Sequence, residues 1–478
     1  MKMATVFFKS AQDLDPSKIL SMEEYELVQN LHSSLVEYDI NQNLQPGVAK
    51  SFVWEGDDLV FEFDPKRAVT VDGDAIGAED AARSLKRSVL YGGTGHGDLR
   101  TFLCPGQKLN SIDDACPGIQ VRDGRLVLTP VRPYYKSHLV KILANADYAI
   151  LPRKALSGDP AKPAIINQRN TTGPYYLDKD DAGGAWVLKI NPSSYHYHAD
   201  MPQLIELVPT DYGEAAARLM KGDFDYLAAS AIVGGEDFDR VLDRTREFNF
   251  HESMAFRIRL ICFSPSALKE FTPAQRFHGA RLMEAYLKQL KSLRGSKPTV
   301  EYFQALSEGT LSEPQRQEIS NLRKNEQGGA LPRPFTIGGP KENAEKLRAY
   351  FKDNPEIRVL DLDDYPYGLP VDQRPDIYVV SSDSAWTESL ASLGHNFEAR
   401  IFQLPGLDGG LWLRDYIETP DKDVRLRKLK QLHFDLLKNA AIYPVAVSPY
   451  FTVARKPWTL GFSTFSSGTE LWQVRKER

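Results

Sequence analysis

Short apolar runs rich in β-branched and aromatic residues alternate along this chain with segments of helical spacing, and that alternation restricts it to a mixed α/β fold. "ATVFF" reads as a short buried strand. "SMEEYELVQNLHSSLVEYD" places Tyr25, Val28, Leu31 and Leu35 on one helical face. "SFVWEGDDLVFEFD" alternates on either side of a Gly-Asp-Asp turn, which predicts a hairpin with Leu59, Phe61 and Phe63 on one side. "AEDAARSLKRSVL" returns to helical spacing through Ala82, Leu85 and Val89. Further on, "PFTIGG" and "ENAEKLRAYFKDNPEIRVLDLDD" give strand, helix and strand in order, as in a βαβ unit. "FRIRLICFSPSALKEF" is a strand running into a turn. "PDIYVVSSDS" is a buried strand ending in small polar residues, "DKDVRLRKLKQLHFDLLKNA" an amphipathic helix, and "AIYPVAVSPYFTVAR" a pair of strands.

The punctuation between these elements is equally specific. "TTGPYYL", Thr171–Leu177, halts regular structure with Gly-Pro and enters a strand at once; proline at a strand's first residue loses no ladder hydrogen bond. Gly222 supplies a left-handed helix cap, and Thr272 followed by Pro273 starts a helix.

At 478 residues the chain exceeds one compact core, so two or three domains are expected. A net charge of −5, from 59 basic and 64 acidic residues, argues against a nucleic-acid partner, because a phosphate backbone selects a basic face. No apolar run approaches the roughly 18 residues of a membrane span. The opening "MKMATVFFKSAQDLDPS" turns polar too soon for a signal peptide, so either the protein is cytoplasmic or a signal has been removed. Cys104 and Cys116 bracket a polar, turn-rich segment. They are either free thiols or a disulfide worth about 3 kcal/mol in an oxidising compartment. Cys262, inside "LICF", reads as a core residue.

No G-x-S-x-G elbow, H-E-x-x-H helix or Walker loop is present, and nothing in the sequence supports catalysis or a cofactor. "YGGTGHGD" has glycines spaced like a nucleotide loop but lacks the flanking strand and helix. His196 and His198 in "YHYH" share a face if that piece is extended, but no third metal ligand is near. The expected metal content is none.

Several of these stretches, in order, resemble one family: the extracytoplasmic solute-binding proteins of ABC transporters, family 5, which serve oligopeptides, dipeptides and nickel. "NLHSSLVEYDINQNLQPGVAKSFVWEGDDLVFEFD" is similar to the family's early signature, with Leu44, Pro46, Gly47, Val48 and Ala49 matching its Leu-x-Pro-Gly-Leu-Ala run. "AIGAEDAARSLKR" resembles its Thr-Ala-Glu-Asp helix start, with Gly77 in place of threonine. "TTGPYYL" with "WVLKINPSSYH", then "AAARLMKGDFDYL" and "FTPAQRFHGARLMEAYL", resemble three later motifs.

The resemblance implies a two-lobed periplasmic-binding-protein fold, class II-like, with an additional small domain in the first lobe. The boundaries it implies are 1–48, 168–255 and 443–478 for the lobe I core, 49–167 for the small domain and 256–442 for lobe II. The lobes would close on a ligand by hinge motion, with chain crossings near Phe250–Arg259 and Ala440–Pro449. Peptide-binding members pair the peptide amino terminus with an aspartate of an Asp-Pro pair. In "IYVVSSDSAWTESL", Asp383 matches the first aspartate of that region, with Ser384 beside it. Trp386-Thr387 stands where the Asp-Pro pair would be, which weakens the case for free-peptide recognition. Trp386 can instead offer a flat apolar or cation–π wall. Arg132 and Tyr134 in "VRPYY" can meet a ligand carboxylate, and His96 sits in a loop at the mouth of the cleft. The implied partners are a peptide or small-molecule ligand and ABC permease subunits, for a monomeric, non-enzymatic protein in the periplasm or another extracytoplasmic space. Two alternatives stand beside peptide capture: a non-peptide cargo such as a metal chelate or opine-like compound, and a ligand-sensing module without transport.

Overall fold

The computed structural model describes residues 2–8, 14–19, 22–41, 43–91, 99–105, 108–131, 136–179, 186–228, 236–290, 294–303, 307–325, 329–363, 366, 369–383, 393–394, 396–397 and 399–477. The chain divides into two compact units: Met1–Met254 with Tyr450–Arg478, and Ala255–Pro449. Among the described residues, no helix is long and apolar enough to cross a membrane.

The first unit is built on a seven-stranded sheet. Its order is Phe248–Glu252, Phe451–Arg455, Tyr226–Leu227, Lys2–Phe8, Leu204–Thr210, Trp186–Ile190 and Tyr175–Lys179. The strand Lys2–Phe8 lies parallel to its neighbour Leu204–Thr210, and both faces of the sheet are covered. Met3 and Phe7 pack with Tyr175, Leu188, Ile205 and Trp458 on one side, while Ala4 and Val6 pack with Leu219, Phe224 and Val241 on the other. A strand buried on two faces needs apolar residues at both parities, which is why "ATVFF" shows a run rather than an alternation.

The helix Met22–Leu31 stops before Leu35, which the helical spacing had included; Leu35 is nonetheless fully buried, beside the short strand Val36–Tyr38. The cause of the stop lies in the Thr-Thr-Gly-Pro stretch. Gly173 donates its N–H to the Leu31 carbonyl at 2.8 Å. A Cβ on Gly173 would stand 2.6–2.7 Å from the backbone of Asn30 and Leu31. Thr172 Oγ1 accepts from the Ser33 N–H at 2.9 Å and donates to the Ile150 carbonyl at 2.8 Å. Thr171 Oγ1 donates to the Tyr175 carbonyl at 2.8 Å. The glycine is therefore there for close approach and satisfies one of the carbonyls that the helix end leaves open, while the threonines bond backbone groups of the segments packed around it.

Within the same unit, a four-stranded sheet runs Ser51–Glu55, Asp58–Glu62, Arg125–Leu128, Ile119–Arg122. The helix Ala78–Tyr91 packs on its last two strands. Leu59, Val60 and Phe61 are all buried, so the second strand of the predicted hairpin is covered on both faces rather than on one. Arg87, on that helix, is buried with Asp15: Nη1 donates to Asp15 Oδ1 at 2.8 Å, Nη2 to Oδ2, and Nε to the Pro163 carbonyl at 2.8 Å. Burial opposes ionisation of Asp15, but the Arg87 guanidinium overcomes it and holds the carboxyl below its ordinary value. Cys104 and Cys116 are joined in a disulfide, with Cα atoms 5.2 Å apart.

The second unit has a six-stranded mixed sheet: Lys297–Pro298, Ile442–Ser448, Arg257–Phe263, Ile377–Asp383, Phe335–Gly339, Ile357–Asp361. Phe335–Gly339 and Ile357–Asp361 pair in parallel across the helix Lys341–Phe351, which is the βαβ unit read from the sequence. The sequence reading assigned residues from 443 onward to lobe I. The strand Ile442–Ser448 instead pairs with Arg257–Phe263 in this unit, and the return to the first unit comes at Tyr450. Thr272 caps the helix Pro273–Gln289 through a reciprocal capping box with Gln275, and Gly222 ends Ala215–Lys221 at φ 88°. Cys262 is fully buried, and burial pushes its thiol pKa up, so it is an inert core residue.

The helix Lys422–Lys438 carries His433, which is fully buried. Its Nδ1 donates to the Gly309 carbonyl at 2.9 Å and its Nε2 accepts from the Tyr302 N–H at 3.0 Å. Both ring nitrogens are used in the neutral form, and burial lowers its pKa to about 4.

Two outcomes follow. Gly173→Ala forces a Cβ into helix backbone that cannot swing aside, and is expected to cost about 2–3 kcal/mol, read as a lower urea midpoint; an unchanged midpoint would refute the close-approach account. The second concerns pH. His433 stays neutral in the fold while the unfolded chain takes up a proton below about 6.5, so its contribution is complete above that pH and is lost toward pH 4. Acidification from pH 7.5 to about 5.5 should cost the second unit about 1.4 kcal/mol. In the first unit His32, also lowered to about 4 by burial, acts in the same direction. Asp147, pushed up to about 7 by burial, opposes it. Hydrogen-exchange mass spectrometry, corrected for intrinsic rates, should therefore show the second unit losing more protection than the first.

Candidate functional site

The chain enters the second unit at Ala255 and leaves it at Pro449. Just inside both points, Arg257–Phe263 lies antiparallel to Ile442–Ser448 on one side and to Ile377–Asp383 on the other. Register puts Arg257, Asp383 and Ser448 in one row, and Arg259, Ser381 and Ala446 two residues along. Because side chains alternate across a sheet, both rows lie on one face. The intervening row, Ile258, Ser382 and Val447, is buried on the other.

The sequence "RIRLICF" encodes this. Arg257 and Arg259 are half-buried, Ile258 is buried, and from Leu260 on every residue is buried. The strand is thus two-faced only at the end where the chain enters the unit. A register shift falls between Arg259 and Leu260: they pair with Ala446 and Pro444, so Val445 is the extra residue of a bulge beside Arg259. Ser448 and Ser296 bring their hydroxyls within 2.6 Å of each other next to the Arg257 row.

The Arg259 side chain makes no hydrogen bond, ion pair or ring contact with any described residue. Burial, and then the charge of Arg257, hold its guanidinium pKa below the ordinary value. The opposite face is closed by a polar triangle. Tyr302 Oη and Ser382 Oγ lie 2.9 Å apart, Asn396 Nδ2 donates to Tyr302 Oη at 2.8 Å, and Ser382 Oγ donates to Asn396 Oδ1 at 3.3 Å. All three residues are buried, and they fix the strand end that leads to Asp383.

Of the site residues expected from the sequence, Asp383 has its backbone at the end of Ile377–Asp383, in register with Arg257. The side chain of Asp383, and the residues Ser384, Trp386, Arg132, Tyr134 and His96, lie outside the described residues. Arg257 and Arg259 were not singled out in the sequence, although charge alternating with isoleucine before an apolar run was the available signal.

A separate cavity of about 420 Å³ in the first unit is lined by Tyr25, His32, Glu37, His196, Glu470 and Trp472, among others. The His196 and His198 pair does not adopt the extended form that would put both on one face. "YHYH" forms turns rather than a strand, and His196 Nε2 contacts Glu37 Oε2 at 3.0 Å while its ring lies 4.7 Å from that of Trp472. Glu37 Oε2 also accepts from Tyr195 Oη at 3.0 Å. Among the described residues, no group of three or more His, Cys, Asp or Glu could hold a metal ion.

No family model matches this chain. No curated protein matches it either. Solved structures do. NikA from Brucella suis, in complex with Fe(III)-EDTA, aligns over 100% of both chains with a TM-score of 0.74 and 14% identity. The dipeptide binding protein from Pseudoalteromonas sp. SM9913, in complex with Met-Leu, also covers 100% of both, with a TM-score of 0.72 and 14% identity. The binding protein AgaA of A. tumefaciens, in complex with agropinic acid, matches over 100% of this chain and 99% of its own, with a TM-score of 0.70 and 15% identity. At such identities the likeness is one of fold, and it extends over the whole chain.

Proposed function

We propose that this chain, whose two-lobed α/β fold is that of the family 5 solute-binding proteins, is the solute-capturing component of an ABC importer. It takes up its cargo by hinge closure about the two chain crossings and delivers it to a membrane permease without chemical change. The observation that carries this reading is the full-length match to three binding proteins with different cargoes. The arrangement of the crossings supports it. Each unit holds its two crossing segments as adjacent antiparallel strands: Phe248–Glu252 with Phe451–Arg455 in the first, and Arg257–Phe263 with Ile442–Ser448 in the second. Two adjacent crossings allow bending and resist shear, which is what a hinge requires.

The cargo is a peptide or peptide-like solute. A chelate or an opine-like compound is the second reading, favoured by Trp386-Thr387 standing in place of an Asp-Pro pair. The Cys104–Cys116 disulfide supports an oxidising, extracytoplasmic location. A monomer working with permease subunits follows from the same reading, and a sensing role without transport would differ only in the partner.

The test is native mass spectrometry of the purified protein, followed by a thermal-shift screen of dipeptides, opines and amino-polycarboxylate chelates. One cargo molecule per chain is expected, unconverted on long incubation, with a stabilisation of about 2.7 kcal/mol at a hundredfold excess over Kd. A protein that carries nothing and responds to no class in the screen, or that turns a bound solute over, refutes the proposal.

A further inference from the structure

We infer that Arg259, with Arg257 and the hydroxyl-bearing rows beside it, is an anion-recognition subsite on the sheet of the second unit, and that the captured solute carries a carboxylate. The inference rests on the solute-binding reading above and names the chemistry of its cargo.

The chain partners its other interior arginines. Arg87 has Asp15. Arg276 donates to the Asn439 carbonyl at 2.7 and 3.0 Å and to the Leu268 carbonyl at 3.2 Å. Arg323 donates to the Pro444 carbonyl at 2.8 Å and lies 3.8 Å over the Tyr443 ring. Arg259 alone among these is half-buried with no side-chain hydrogen bond or ion pair among the described residues. A partly desolvated guanidinium next to a second one destabilises the protein that holds it unless an anion arrives.

The surroundings suit an anion. Ser381, directly across from Arg259, is exposed and offers a hydroxyl. Ala446 on the other side is small, and Pro298 pairs beyond it. Ser448 and Ser296 add two hydroxyls along the Arg257 row. The bulge at Val445 sits beside Arg259, where such irregularities commonly re-aim a side chain. A guanidinium presents paired N–H donors that match the two oxygens of a carboxylate. Met-Leu, agropinic acid and EDTA, the bound solutes of the three matching structures, all carry carboxylates.

The experiment titrates the wild-type protein, Arg259→Leu and Arg259→Lys with Met-Leu, Met-Leu amide, agropinic acid and Fe(III)-EDTA, together with any solute that the thermal-shift screen returns. A carboxylate-bearing probe should bind the wild type, and Arg259→Leu should weaken it by roughly 10- to 100-fold. Arg259→Lys should restore part of the loss, since an ammonium keeps the charge but not the fork. Without any probe, Arg259→Leu should melt at the same temperature as the wild type or higher, because it removes an uncompensated charge. Unchanged probe binding in Arg259→Leu, equal binding of acid and amide, or a lower melting temperature of the probe-free variant would each overturn the inference while leaving the solute-binding reading intact. A wild-type protein that binds no probe and no screened solute overturns both.

Discussion

The fold depends on a pairing between strands that are nearly two hundred residues apart in sequence. Arg257–Phe263 and Ile442–Ser448 are antiparallel neighbours in the second unit, and Phe248–Glu252 and Phe451–Arg455 are antiparallel neighbours in the first. Everything between Ala255 and Pro449 is therefore a single long excursion closed at its base by hydrogen bonds, with Ser253 N–H donating to the Tyr450 carbonyl at 2.9 Å on the first-unit side. Closing so long a loop costs entropy only once, and that cost grows slowly with length, so the many contacts inside the excursion readily outweigh it. The same base is where one face of the sheet carries arginine instead of aliphatic residues.

Several interior polar groups follow one rule. Asp15 and Arg87, the Tyr302–Ser382–Asn396 triangle, and His433 with its two backbone partners are each hydrogen-bonded where water is excluded. An unmade hydrogen bond in such places costs more than a made one contributes, so these networks specify positions as much as they stabilise them. Arg259 departs from the rule at the open end of a strand whose remainder is wholly buried. Local disagreement with an otherwise consistent design is where function is expected.

Much of the architecture was legible in the residues. The two-face burial of Lys2–Phe8, the βαβ unit, the Thr272 capping box and the Gly222 cap follow from periodicity and from local backbone chemistry. Where the reading slipped, a long-range contact was responsible. Leu35 keeps helical spacing with Leu31, yet the helix ends because Gly173 docks on its last turn. The first of the two strands in "AIYPVAVSPYFTVAR" was placed in lobe I from residue 443, yet Ile442–Ser448 has its partner, Arg257–Phe263, in the other unit. The site was less legible. A row such as Arg257, Asp383 and Ser448 draws on three strands widely separated along the chain, and no local pattern announces it.

By itself, then, the sequence determined the kinds of element, their order and their ends, because hydrophobic period, proline, glycine and capping residues act over a few positions. It also carried the motifs that resemble family 5. Only the tertiary structure decided which strands became neighbours, where the chain changes units, and that Arg259 has no ion-pair partner among the described residues. Those outcomes depend on what lies across a sheet, and cross-strand distance bears no fixed relation to distance along the chain.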